Sequence, residues 1–154
     1  MMWLCRPGDK AQYYEKFIQE KRIYLAWEGY NVDLRKLEDK EHYRKLVSEE
    51  KDVDNRTTIS NWSGQLINFS TDMKVGDYVV IPNNRERIYT LAKISGAYEF
   101  VENSMLHHCR RIEIVKTNIS RDIFSQQVLY CLGAYRTVFK IKLEKEFLQE
   151  LGEG

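Results

Sequence analysis

Short apolar runs alternate along this chain with stretches in which apolar residues recur every three or four positions, the signatures of strands and of amphipathic helices. The run MWLC, stopped by Pro7 and Gly8, predicts a first strand. Asp9 can then cap a helix over DKAQYYEKFIQEK, whose Tyr13, Tyr14, Phe17 and Ile18 form one stripe. RIYLAW predicts a second strand. After a turn at Gly29, Asp33 is positioned to cap one long helix over LRKLEDKEHYRKLVSEEK, with Leu34, Leu37, Tyr43, Leu46 and Val47 on its packed face.

DVDNRTT is polar and predicts a loop, and SNWSGQLINFSTDM a loop leading into a short helix with Leu66, Ile67 and Phe69 inward. Beyond the turn at Gly76, Tyr78 to Ile81 predict a strand stopped by Pro82. NNRER is a turn in which Asn83 and Asn84 tolerate positive φ, and IYTLAKISGAYEF is the returning strand. HHCRRIEIVKTNIS alternates, placing Ile112, Ile114 and either Cys109 or Arg110 inward on a half-exposed strand. Ser120 or Asp122 starts a short helix over IFSQQVLYCLG, AYRTVFKI closes the sheet, and KLEKEFLQELGEG is helical in composition. The expected class is α+β: a small, mostly antiparallel β-barrel of about five or six strands with flanking helices, over residues 1–143, then a helical tail or linker start at 144–154.

Composition narrows the function only a little. The 154 residues are 43% hydrophobic, enough for one core. Lys and Arg number 24 against 23 Asp and Glu, so any basic face must be local. Cys5, Cys109 and Cys131 are odd in number and lack CxxC spacing, which fits reduced core thiols. With no apolar run near the ~20 residues of a membrane span and no signal-like N-terminus, the expectation is a soluble, cytoplasmic protein.

Motifs for catalytic chemistry are sparse. There is no GxSxG elbow, phosphate-binding GxxxxGK[ST] loop or GxGxxG turn. His107, His108 and Cys109 are adjacent, so on a strand they point to alternate faces and cannot grip one metal, and they read as a surface turn. Glu38-Asp39-Lys40 and Glu49-Glu50-Lys51 match the bare E-x-K string of metal nucleases, but on a charge-dense helix they read as solvated faces. No cofactor, metal or catalytic residue is predicted.

Aromatic residues are 12% of the chain, including three tryptophans and ten tyrosines. Most, Trp3 among them, must be core. Trp27 precedes the polar turn EGYN, and Trp62 lies in SNWSGQ, where Ser63 and Gly64 allow close approach. The two rings are candidate walls for a planar ligand, with Asn61 and Gln65 to read its edge and Tyr30 and Tyr98 as further aromatic candidates. Stacking of about 1–3 kcal/mol per contact can offset the few kcal/mol that extruding a base costs. Arg85, Arg87, Arg110, Arg111, Lys116 and Arg121 are the candidate phosphate contacts.

The order LAWEGYNVDL, SNWSGQLINFSTDMKVGDYVVIP, IYTLAKISGAYEF, HHCRRIEIVK and ISRDIFSQQVLYCLGAYRTVFKI resembles the N-terminal recognition domain that precedes Mrr-type catalytic domains in restriction endonucleases, of the EVE/YTH branch of the PUA-like fold. The resemblance spans residues 2–143. It implies a barrel whose aromatic pocket receives a flipped, often methylated base, with Trp27 as one wall. Two departures stand out: Ala26-Trp27 replaces a Gly-Trp pair, and Trp62 occupies a small or polar position of an Asn-x-x-Gly-Gln element.

The leading expectation is therefore a non-catalytic module that recognises a modified base in double-stranded DNA for a defence nuclease, carried in a longer parent chain or by a partner. RNA is the alternative polymer. A nucleic-acid-modifying enzyme with Glu28 or Asp33 as general base, and a peptide-binding adaptor, are the competing classes.

Overall fold

The computed structural model describes residues 1–152. Among the described residues, seven strands and five α-helices follow one another as β1 (Met2–Cys5), α1 (Tyr14–Glu20), β2 (Arg22–Tyr24), α2 (Lys40–Lys51), α3 (Arg56–Ile67), β3 (Tyr78–Asn83), β4 (Ile88–Ile94), β5 (Glu99–Phe100), β6 (His108–Ser120), α4 (Gln126–Leu132), β7 (Val138–Lys140) and α5 (Glu144–Leu151). Six strands run in the order β2-β6-β4-β3-β1-β7, and the short β5 pairs with β6. Only β1 and β3 are parallel. All other pairings are antiparallel, so the fold is α+β on a curled, mostly antiparallel half-barrel.

Both faces of the central strands are covered, which is why MWLC is continuously apolar rather than alternating. Trp3, Cys5, Val79, Ile81, Ala92 and Ile94 point to the side packed by α1 and α3. Met2, Leu4, Val80, Tyr89 and Leu91 point to the other side, where Phe124, Val128, Leu132, Phe147 and Leu151 cover them. The helix predicted for the tail joins this second cluster, Phe147 stacking on Phe124 at 4.7 Å between centroids. Residues 153 and 154 of that tail lie outside the described residues.

Several elements differ from the sequence reading. Asp33 caps only a single 3-10 turn, Leu34–Lys36, and Asp39 caps α2 afresh through the His42 amide at 3.0 Å. The loop expected around Trp62 is a twelve-residue helix, α3, with Asn55 accepting from the Thr58 amide. It continues into a π-helical turn, Asn68–Asp72. Pro82 lies within β3, and positive φ in the hairpin falls on Arg87 rather than on Asn83 or Asn84. The predicted return strand divides into β4 and β5. The second strand ends at Tyr24, leaving Leu25 to Trp27 outside regular secondary structure. Ser120 caps a 3-10 turn, Arg121–Ile123, and Ser125 caps α4.

Candidate functional site

Trp27 and Trp62 do come together. Their ring centroids are 4.3 Å apart at an interplanar angle of 41°. That distance puts the rings in direct contact and leaves no room for a base between them, so they are not two walls of one slot. Trp27 is buried, its Nε1 donating to Thr137 Oγ1 at 3.0 Å, and Tyr30 packs on it at 5.5 Å. Trp62 is half-buried, because α3 carries it at the edge of the cluster. Lys51 Nζ lies 3.3 Å from its ring centroid. Trp62 thus rests on the core through Trp27 and carries the Lys51 ammonium over its ring.

The EGYN turn after Trp27 is shaped by two successive positive φ values, 82° at Gly29 and 53° at Tyr30. A tyrosine in the left-handed region is strained, and what holds it is a buried hydrogen-bond relay. Leu34 N–H donates to Tyr98 Oη at 3.1 Å, Tyr98 Oη lies 2.6 Å from His108 Nδ1, and His108 Nε2 lies 2.9 Å from the Tyr30 carbonyl. A carbonyl can only accept, so Nε2 carries the imidazole proton and Nδ1 accepts from the tyrosine. Burial pushes His108 down to about 4 and Tyr98 above its usual range. His108 and Cys109 are therefore core residues of β6, and the expected surface turn is not there. Tyr98 is likewise committed to the core, while the buried hydroxyl of Tyr30 has no partner among the described residues.

Of the two amides expected to read a base edge, Gln65 is engaged at both its oxygen and its nitrogen, and Asn61 at its oxygen. Gln65 Oε1 accepts from Thr137 N and Val138 N at 2.9 and 3.0 Å, and its Nε2 donates to Asn61 Oδ1 at 2.8 Å. Ser63 is buried and donates to the Ser60 carbonyl at 3.2 Å. Gln65 is thus the pin that fixes the start of β7 to α3.

Of the candidate phosphate contacts, Arg110 is excluded by burial, with 3% exposure. Its guanidinium donates to the carbonyls of Met73 at 2.6 Å, Phe69 at 3.3 Å and Gly96 at 3.0 and 3.1 Å, clamping the π-helical turn to the loop after β4. Its phase with Ile112 and Ile114 on β6 carries the signal that it points inward. Arg85, Arg87, Arg111 and Lys116 are exposed and Arg121 is partly so, with Arg87 near Asp122 at 3.6 Å and Arg111 near Glu99 at 3.9 Å. Glu28 is exposed, and Asp33 is tied to Arg35 at 2.7 Å.

A cleft of about 550 Å³ opens on the side of α3 turned away from Trp62, lined by Arg56, Thr57, Ser60, Asn61, Gly64, Gln65, Asn68 and Arg136. No carboxylate lines it. Sequence reasoning missed Arg56 and Arg136, because they lie far apart in the chain and nothing in their spacing joins them. Among the described residues, no group of three His, Cys, Asp or Glu side chains is placed to hold a metal ion. No helix among them is long and apolar enough to cross a membrane.

The fold and the site define an α+β protein with a curled mixed sheet, a paired-tryptophan cluster, and a carboxylate-free cleft on another side of α3. The chain belongs to the family described as a domain of unknown function, DUF8426, whose model matches residues 3–142. No curated protein matches it.

Proposed function

We propose that this chain is a nucleic-acid-binding module that takes an unstacked base onto Trp62 in the place held by Lys51. The observation that carries the reading is the arrangement of that ring: backed by Trp27 at 4.3 Å and capped by Lys51 Nζ at 3.3 Å. Inserting a base between the tryptophans would require separating a packed aromatic pair and exposing Trp27. Displacing the lysine costs only about 0.5–1 kcal/mol of cation–π attraction, whereas base stacking returns about 1–3 kcal/mol. The outer face is therefore the better seat. The resemblance of LAWEGYNVDL and the SNWSGQ block to EVE/YTH recognition domains supports a modified, methylated base in double-stranded DNA as the ligand, in the service of a restriction nuclease. The exposed Arg85 and Arg87 at the β3–β4 turn and Arg111 and Lys116 on β6 support backbone contacts.

The test is binding to matched duplexes with and without a methylated base, measured by fluorescence anisotropy. Trp62→Ala should reduce affinity for the modified duplex by about 1–3 kcal/mol, and Trp62→Phe should keep part of it. Trp62 is half-buried, so circular dichroism should remain unchanged. Equal binding by Trp62→Ala and the parent protein, or no affinity for any nucleic acid, would overturn the reading.

A further inference from the structure

Tyr135 is fully exposed, at 104% of its reference area, yet the turn that carries it is hydrogen-bonded on both sides. Arg6 donates to three of its carbonyls, Leu132 at 3.2 Å, Ala134 at 2.7 Å and Arg136 at 2.9 Å. On its other side Gln65 holds the amides of Thr137 and Val138. The backbone that carries the ring is fixed, so binding has only the two side-chain torsions of the tyrosine left to order. The same turn delivers Arg136 to the cleft of α3, where Arg56 enters from the helix start and Asn61 and Asn68 offer amides. Neither arginine belongs to any ion pair among the described residues. Two such cations lining a cleft without a carboxylate favour an anion, and the bare ring that precedes Arg136 in the same turn offers a stacking face for a planar group joined to that anion.

We infer that this turn and cleft form a second nucleic-acid contact, in which Arg56 and Arg136 hold a backbone phosphate and Tyr135 stacks an adjacent unpaired base. The inference rests on the reading of the chain as a nucleic-acid binder and adds a single-stranded segment to its ligand.

The experiment uses the whole chain and a fluorescent oligothymidylate, titrated at several salt concentrations. Tyr135→Ala should weaken binding by about tenfold to a hundredfold, with Tyr135→Phe restoring most of it, because stacking needs the ring and not the hydroxyl. The Arg56→Ala/Arg136→Ala variant should lower affinity for every sequence alike and flatten the salt slope by about 0.7 for each phosphate no longer neutralised. These residues line open surface, so thermal unfolding should be unaffected. An unchanged dissociation constant for Tyr135→Ala, or displacement of the oligonucleotide by poly-glutamate as readily as by unlabelled DNA, overturns the inference. If Trp62→Ala abolishes discrimination of the modified duplex while the Tyr135 and arginine variants bind normally, only this second contact falls. If the reverse holds, only the Trp62 site falls, and a chain that binds no nucleic acid loses both.

Discussion

His108 shows how much of this site is decided by one proton. Its Nε2–H serves the strained Tyr30 carbonyl, and its Nδ1 must stay bare to receive the Tyr98 hydroxyl. Adding a proton would break the second bond and charge a fully buried ring, so the folded protein holds this imidazole down to about 4, against an ordinary 6.5. Between those values the unfolded chain binds a proton that the folded chain refuses. Stability should therefore fall as pH drops from 6.5 to 4 and level off below, a loss of up to about 3 kcal/mol from this residue alone. Carboxylates titrate in part of the same range, so the measurement is the difference in urea midpoint between the parent and His108→Gln across roughly pH 3 to 8, with about neutral pH as reference. The parent should lose more stability than the variant on acidification; parallel curves would show that His108 is not the cause. The same reasoning sets Trp27 apart from Trp62. Trp27 is buried and hydrogen-bonded to Thr137, so truncating it should cost about 3–5 kcal/mol of stability and report on the fold rather than on a ligand.

At the scale of elements, α3 decides what the sequence could and could not disclose. RTTISNWSGQ is rich in β-branched and polar residues with a glycine, a poor helix by propensity, and so it reads as a loop. The cap at Asn55 and the spacing of Ile59, Trp62 or Ser63, and Leu66 were the countersignal. Strands with strong apolar alternation, such as β3 and β6, were legible because the sheet imposes period two. The roles of Asn61, Ser63 and Gln65 were not, because a polar residue selected for a ligand and one selected for a buried backbone group look alike in sequence. Gln65 is the clearest case. Gln65→Leu should strand two amides at the start of β7 and cost about 2–4 kcal/mol, taking about 1–2 for each unpaired amide. Hydrogen exchange at Thr137 and Val138 should accelerate selectively. If exchange there stayed at the parent rate, β7 would be held by its pairing with β1 alone.

For the molecule as a whole, a net charge of +1 means that any attraction to a polyanion depends on where the cations stand. The fold sorts the six candidates named from sequence into two groups. Arg110 spends its donors on carbonyls inside the protein, where burial depresses its affinity for its own proton. Arg85, Arg87, Arg111, Lys116 and Arg121 remain at the surface. Replacing Arg110 by alanine should therefore destabilise the fold by about 3–5 kcal/mol, since it leaves several buried carbonyls unpaired, and should leave the salt slope of DNA binding unchanged below the unfolding temperature. Replacing Arg85, Arg87 and Arg121 together should do the opposite. Their removal should spare the melting temperature, weaken modified and unmodified duplexes alike, and flatten the slope of log affinity against log salt by about 0.9 for each phosphate left without its cation. A slope unmoved by the triple variant would place the DNA backbone on the other exposed cations, Arg111 and Lys116 on β6, and a fall in discrimination instead of affinity would mean that these arginines touch bases.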